Sequence, residues 1–163
     1  PRYIVKSRRR RLGITDYSQR VRMLKSRMLR LVIRKSDKYI SAQIIEYSAK
    51  GDKTLATAHS SELKGLGWQH GMKSTPAAYL TGLLLGRRAG NKDAILDIGV
   101  HLATKGAKIF AALKGAVDAG LKVKYNPEVL PSADRIAGKH IAAHLKANFS
   151  DFDAVKKKIM ELQ

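Results

Sequence analysis

Apolar and polar positions alternate in three consecutive segments near the front of the chain. In the segment 29–34, leucine and isoleucine alternate with arginine and valine, and the run 40–45 repeats the alternation. A third, less regular run lies near 53–58, and turn residues separate the runs at 36–37 and 50–52. The period of two and the short spacing predict an antiparallel meander of three strands with one apolar face.

Helical periodicity follows the meander. Pro76 stands where a first helical turn is expected, with Thr75 as its candidate cap, and an apolar stripe continues to Gly90. The short apolar run 94–98 predicts a strand inside the sheet, and 107–119 predicts a second helix. This order is typical of the α/β class. It predicts a mixed sheet in which α-β-α units follow the meander and helices cover at least one face.

The last 42 residues predict one more short strand and two helices. The strand is expected at 122–125, and Ser132 is a candidate cap for a helix that contains Ile136, Ile141 and Leu145. The final helix follows Ser150, which forms a capping box with Asp153.

The front of the chain has a different character. Residues 1–14 contain the run Arg8–Arg11 and little apolar content, so they predict an extended arm that stays unstructured until a partner neutralises it. Asp16 is the expected N-cap of a helix, with Gln19 three residues later. The apolar stripe of this helix is thin and consists of Val21, Leu24 and Met28.

Charge is the property of the chain that indicates most about its partners. The chain has 163 residues, of which 32 are Lys or Arg and 13 are Asp or Glu, for a net charge of +19. Residues 1–38 hold 14 of these bases and 2 of the acids, a balance of +12. Such a field repels itself, so a partner with negative charge is expected, and nucleic-acid phosphate is the commonest such partner. An anionic membrane surface is the other candidate partner. No segment is long and apolar enough to span a bilayer.

We therefore divide the chain into three parts. We expect residues 1–28 to form a basic RNA-binding arm and helix, 29–125 to form the mixed α/β core, and 126–163 to form C-terminal helices on or beside that core. Four adjacent guanidiniums exceed what nearby carboxylates can satisfy, and arginine matches phosphate oxygens bidentately. A solvated charge run or a localisation signal is the alternative interpretation. Three tyrosines among the bases fit either base stacking or packing at the helix–sheet junction, namely Tyr3, Tyr17 and Tyr39.

Catalysis and cofactors are not expected. The chain has no cysteine, and His140 and His144 share a helix face without a third ligand, so a zinc site is not expected. Asp97 and Asp118 are candidates for a two-metal nuclease centre, but the first strand carries no acid, and pairing with local bases or amides is favoured. There is no phosphate loop or nucleophile elbow. A metal-dependent nuclease and an architectural nucleic-acid-binding protein stay open as alternatives.

Several motifs together resemble one known family. The segment 8–17, which runs from the arginines through Leu-Gly-Ile-Thr-Asp-Tyr, is followed by matches at 56–63, 78–84, 96–99 and 114–121. In order and number these are similar to the ribosomal protein L-eighteen family in its archaeal form, whose eukaryotic counterpart is L-five.

The resemblance implies a structural protein of the large ribosomal subunit in the cytoplasm, which binds 5S ribosomal RNA (rRNA) in the central protuberance. It also implies contact with large-subunit rRNA and with a neighbouring 5S-binding protein. It further implies a ribonuclease-H-like motif without that motif's acids. No cofactor, membrane or homo-oligomer is expected. By match, the RNA contacts fall on Arg8, Arg9, Arg10, Arg11, Thr15, Tyr17, Arg20, Arg22, Lys25, Arg27 and Arg34.

Overall fold

The computed structural model describes residues 4–145 and 151–162. Its centre is a sheet of five strands in the order β3-β2-β1-β4-β5. The strands are β1 (Leu29–Lys35), β2 (Ile40–Glu46), β3 (Lys53–His59), β4 (Asp93–Asp97) and β5 (Lys122–Val123). The first three pair antiparallel, while β4 pairs parallel with β1 and β5 pairs parallel with β4. The mixed α/β sheet with a leading meander is thus confirmed. The ribonuclease-H-like motif stays a prediction.

Seven α-helices accompany the sheet in the described residues. They are α1 (Arg8–Arg11), α2 (Tyr17–Lys25), α3 (Thr75–Ala89), α4 (Lys108–Asp118), α5 (Ala133–Ile136), α6 (Lys139–Leu145) and α7 (Asp151–Glu161). Short 3-10 helices occur at Ser60–Lys64 and Pro127–Val129. None of these helices is long and apolar enough to cross a membrane.

The alternation along β1 sorts its side chains onto two faces. Leu31 and Ile33 are fully buried in the core, opposite Ile44 and Ala42 of β2. The opposite face of β1 is also partly covered, because Arg30 is only 3% exposed. That arginine is buried because carboxylates from two other segments surround it, as described below.

Helices α3 and α4 cover the apolar face and pack closely against each other. A Cβ on Gly82 of α3 would collide with the carbonyl oxygen of Ala112, and one on Gly115 of α4 would collide with that of Tyr79. The absence of side chains at these two positions therefore sets the separation of the helices. Nearly every residue of α3 before Arg87 is buried.

The arm and α2 differ from their predictions. Residues 8–11 form one helical turn rather than an extended segment. Asp16 caps α2 as predicted, since its carboxylate accepts the Gln19 N–H at 3.0 Å. The predicted stripe is wrong, because the buried residue is Met23. Because this helix lies beside a polar part of the sheet, only one of its apolar side chains is buried there.

Two helix ends also differ in detail. Ser74, not Thr75, caps α3, and Pro76 follows as the second helical residue. The helix predicted after Ser132 is two helices, α5 and α6, because Gly138 adopts a φ of 79° between them. The predicted cap of the last helix, Ser150, lies outside the described residues.

The final helix, α7, packs against α3. Its buried side chains are Phe152, Val155 and Ile159, which follow one another at helical spacing.

Replacing Gly82 with alanine should destabilise the protein. The added methyl group has no space against Ala112, so α3 and α4 must move apart, and overpacking of this kind typically costs about 1–3 kcal/mol. Urea unfolding followed by circular dichroism measures the loss. Gly65→Ala is the matched control, because Gly65 has an ordinary φ of −64° and is exposed. Equal stability of the two variants would contradict the close approach of the helices.

Candidate nucleic-acid interface

A groove of about 590 Å³ lies between the arm, α2 and the polar face of the sheet. Three segments form its walls: the arm up to Asp16, the inner side of α2, and the facing ends of β1 and β4. Of the predicted RNA-binding residues, it brings together Arg9, Thr15, Arg20 and Arg34.

The floor of the groove is held by one buried carboxylate at the end of β4. Arg30 Nη1 donates to Asp97 Oδ2 at 3.0 Å, and Arg34 Nη2 donates to Asp97 Oδ1 at 2.7 Å. Arg34 also donates to the backbone oxygen of Asp97, and the Gly99 N–H donates to Oδ1 at 2.9 Å. We call Arg30, Arg34 and Asp97 the clamp. It joins β1 to the chain that leaves β4.

The charge state of the clamp follows from these contacts. Burial alone would raise the pKa of the Asp97 carboxyl. The hydrogen bond and positive charge of Arg34, the Gly99 amide and the Arg30 guanidinium outweigh that effect and hold the pKa below its ordinary value. Asp97 is therefore ionised at neutral pH and neutralises part of the charge of two arginines.

A second carboxylate extends the arrangement to α2. Asp52, in the turn before β3, accepts from Arg20 Nη2 at 2.8 Å and also from Arg30 Nη2. The first contact ties α2 to the sheet, and the second completes the neutralisation of buried Arg30. Arg20 and Arg34, both predicted RNA contacts, thus already have protein carboxylates as partners.

The arginine run has no such partners. All four side chains are exposed, and no carboxylate among the described residues pairs with any of them. The only hydrogen bond from their side chains within the described chain runs from Arg9 Nε to Thr15 Oγ1, at 3.0 Å, which fixes the turn after α1. These guanidiniums are available to an external anion.

The remaining predicted residues lie outside this groove. Tyr17 is the first residue of α2 and is 37% exposed. Arg22 lines a neighbouring groove together with the loop 98–103. Lys25 is exposed at the end of α2, and Arg27 is exposed with a φ of 54° in the turn that follows.

The other two tyrosines have different positions. Tyr39 packs against the His59 ring, with 5.1 Å between the ring centres, as the packing interpretation expects. Tyr3 lies outside the described residues.

The acids do not form a metal centre. Both carboxylate oxygens of Asp97 are occupied by arginine, and Asp118 accepts from Lys114 Nζ at 2.7 Å and from the Tyr79 hydroxyl at 3.0 Å. Pairing of these acids with local bases is confirmed. Within the residues that the structure describes, no three His, Cys, Asp or Glu side chains are grouped so that they could hold a metal ion.

Sequence reasoning missed Arg30 and Asp52 as parts of this site. Arg30 lies in β1 at a position where an exposed strand residue is expected, and Asp52 lies in a turn. The one available signal was the occurrence of two arginines at 30 and 34 on the same face of β1, because such a pair needs nearby carboxylates.

Replacing Asp97 with asparagine should destabilise the protein in a pH-dependent way. Removing the buried carboxylate costs up to about 3 kcal/mol at neutral pH, less than for an isolated buried pair, because Arg30 keeps Asp52 as a partner and Arg34 is partly exposed. Because the folded-state pKa is lowered, the ionised carboxylate stabilises the fold above about pH 4, and this contribution is lost as the pH falls through the lowered pKa. The difference in unfolding free energy between wild type and variant should therefore narrow below about pH 4.

Urea unfolding across pH 2–7, in roughly half-unit steps, measures that difference. Asp134→Asn is the control, because Asp134 pairs with Lys139 on the open surface and should have little effect at any pH. If the difference in unfolding free energy between wild type and Asp97→Asn stayed constant over this pH range, the ion pairing of Asp97 in the clamp would be contradicted.

Comparison with known proteins agrees with this basic, non-catalytic surface. The family model described as "Ribosomal large subunit proteins 60S L5, and 50S L18" matches residues 1–93 and 90–126. The chain is 48% identical to the large ribosomal subunit protein uL18 of Korarchaeum cryptofilum, over 93% of this chain and 84% of that protein. It is 50% identical to the uL18 of Methanoregula boonei, over 88% of this chain and 84% of that one.

A third relative gives the same result. The uL18 of Halobacterium salinarum is 49% identical, over 94% of this chain and 88% of that protein. The likeness covers the arm, the sheet and most of the helices. The chain therefore belongs to the family of large ribosomal subunit proteins L18 and L5.

Proposed function

We propose that this protein binds 5S rRNA through its arm and α2 and helps to attach that RNA to the large-subunit rRNA. The observation that carries the proposal is the exposed arginine turn at 8–11, which has no carboxylate partner among the described residues. It stands beside a groove whose floor is already neutralised by protein carboxylates.

The family gives the general role. The protein is a structural component of the large ribosomal subunit and works in the cytoplasm as part of it. It is not an enzyme, since its family consists of structural ribosomal proteins.

The division of charges supports RNA as the partner of the arm. Asp52 and Asp97 pair with arginines that hold the fold together. These acids therefore cannot also neutralise the positive charge of the arm. Phosphate groups can, because guanidinium forks bind two phosphate oxygens and release condensed counterions. Next to the arm, Tyr17 offers an exposed ring on which an unpaired base can stack.

The choice of 5S rRNA is supported by the motif at 8–17, which resembles the 5S-binding family. The same resemblance supports two further partners, namely large-subunit rRNA and a neighbouring 5S-binding ribosomal protein. Thr15 and Arg9 keep this motif in one local arrangement through their hydrogen bond, so the arm presents its arginines on a preformed turn. A preformed turn loses less conformational entropy on binding than an extended arm would.

Changing Arg8, Arg9, Arg10 and Arg11 together to alanine should weaken 5S rRNA binding and flatten its salt dependence. The slope of log K against log salt should fall by up to about 0.9 for each phosphate that the variant no longer neutralises. Filter binding or fluorescence anisotropy over a series of KCl concentrations measures both quantities. An unchanged slope would show that these arginines do not touch the RNA.

The matched control removes four charges elsewhere. Lys64, Lys122, Lys124 and Lys157 are exposed and have no side-chain partner among the described residues, and none of them lines the groove beside the arm. Their alanine variant should keep most of the slope. Duplex DNA of matched length is the competitor in both series, and equal affinity for it would favour the architectural alternative over 5S recognition.

A further inference from the structure

A second basic groove lies where β1 and β4 end and where α3 and α4 begin. It has a volume of about 540 Å³. Five cationic or titratable side chains from separate parts of the chain line it, namely Lys35, Lys73, His101, Lys108 and Arg135. None of them belongs to the arm or to α2, and none is among the RNA contacts that the family resemblance implies.

The positive charge in this groove is hardly neutralised by protein carboxylates. Asp37 is the one carboxylate within ion-pair distance of these side chains in the described residues, and it is fully exposed, 3.9 Å from Lys73 Nζ. Asp134, beside Arg135 in sequence, pairs with Lys139 instead. The side chains of Lys35 and Lys108 have no hydrogen-bond or ion-pair partner in the part of the chain that is described.

The cations of the groove disturb one another. Burial, together with the charges of Lys73 and Lys35, lowers the pKa of Lys108. Burial, together with Lys35 and Arg34, lowers the pKa of His101. Holding these groups together therefore costs free energy in the isolated protein, and an anion in the groove would relieve that cost.

The groove also continues toward the arm. The loop 98–103 lines the intermediate groove that holds Arg22. Its residues Val100 and His101 line the second basic groove as well, and Val100 also reaches the groove beside the arm. We call these three neighbouring grooves the track; arginines line the groove beside the arm, and lysines line most of the second basic groove. An extended polyanion fits such a track better than a small anion does.

The backbone at the start of α4 adds to the attraction. The N–H groups of Lys108 and Ile109 have no acceptor in the described chain, because the cap residue is Ala107, which offers no side-chain oxygen. These N–H groups lie at the N-terminal end of α4, which carries the partial positive charge of the helix dipole.

We infer that the groove of Lys35, Lys73, Lys108 and Arg135 binds the phosphate backbone of rRNA as a second contact, separate from the arm. The inference rests on the RNA binding proposed above and extends it to a surface that the sequence motifs do not include. The phosphates come from 5S rRNA or from the large-subunit rRNA that the same protein meets.

Hydroxyl-radical footprinting with the full chain tests this contact. The variant Lys35→Gln/Lys73→Gln/Lys108→Gln is compared with wild type on 5S rRNA alone and on 5S rRNA together with large-subunit rRNA. It should lose a set of protections that the arm variant keeps. The slope of log K against log salt should also fall, by up to about 0.9 for each phosphate that is no longer neutralised. The RNA on which protections disappear identifies the source of the phosphates.

The control variant is Lys64→Gln/Lys122→Gln/Lys157→Gln, which removes the same charge away from the track. The inference would be overturned if the groove variant kept every protection on both RNAs and its slope of log K against log salt equalled that of the control variant. Failure of the arm variant to lose protections would count against the arm contact instead, because each variant is scored on its own nucleotides.

Stability without RNA supplies a second measurement. Lys108→Gln should raise the midpoint of urea unfolding at low salt, because it removes a cation that its neighbours repel, and the gain should shrink at high salt. An unchanged or lower midpoint at low salt would contradict the mutual repulsion of these cations.

Discussion

The buried pairing of Asp97 with Arg30 and Arg34 is the interaction on which the basic surface depends. Arg30, whose side chain is 4% exposed, could not lie against the sheet without a carboxylate beside it, since an unpaired buried charge costs several kcal/mol. Asp97 supplies that carboxylate from the end of β4, the strand that pairs parallel with β1. The clamp therefore links the antiparallel and parallel halves of the sheet at the point where the groove opens.

The same pairing explains how the charges are divided. The chain has few acids, and two of them, Asp52 and Asp97, neutralise the arginines closest to the core. Among the remaining cations, one group lies on the arm, on the exposed side of α2 and in the groove at the start of α4, while others, such as Lys64 and Lys157, lie elsewhere on the surface. Part of the excess positive charge therefore lies along three neighbouring grooves that share lining residues. An RNA partner then provides the countercharge that the protein lacks.

Sequence patterns predicted the elements well where hydrophobicity was periodic. The alternation in β1 and β2 defined the meander, and the apolar stripe after Pro76 defined α3. The pattern was misleading at α2, where Val21 is 53% exposed and Met23 makes the buried contact instead. Periodicity predicts which residues share a helix face, but the partner surface decides whether that face is buried.

The site was predicted less completely than the fold. A run such as Arg8–Arg11 is visible in the sequence because its members are adjacent. The clamp is not, because Arg30 and Asp97 are far apart along the chain and meet only through the pairing of β1 with β4. The second basic groove is scattered in the same way, since Lys35, Lys73, Lys108 and Arg135 come from separate segments that converge only in the folded chain.

A cryo-electron microscopy structure of the assembled large subunit would show directly what the arm contacts. We expect guanidinium groups of Arg8–Arg11 within about 3 Å of phosphate oxygens of 5S rRNA, with Asp97 still bound to Arg30 and Arg34. An arm that faced open solvent, or lay only against other proteins, would contradict this expectation.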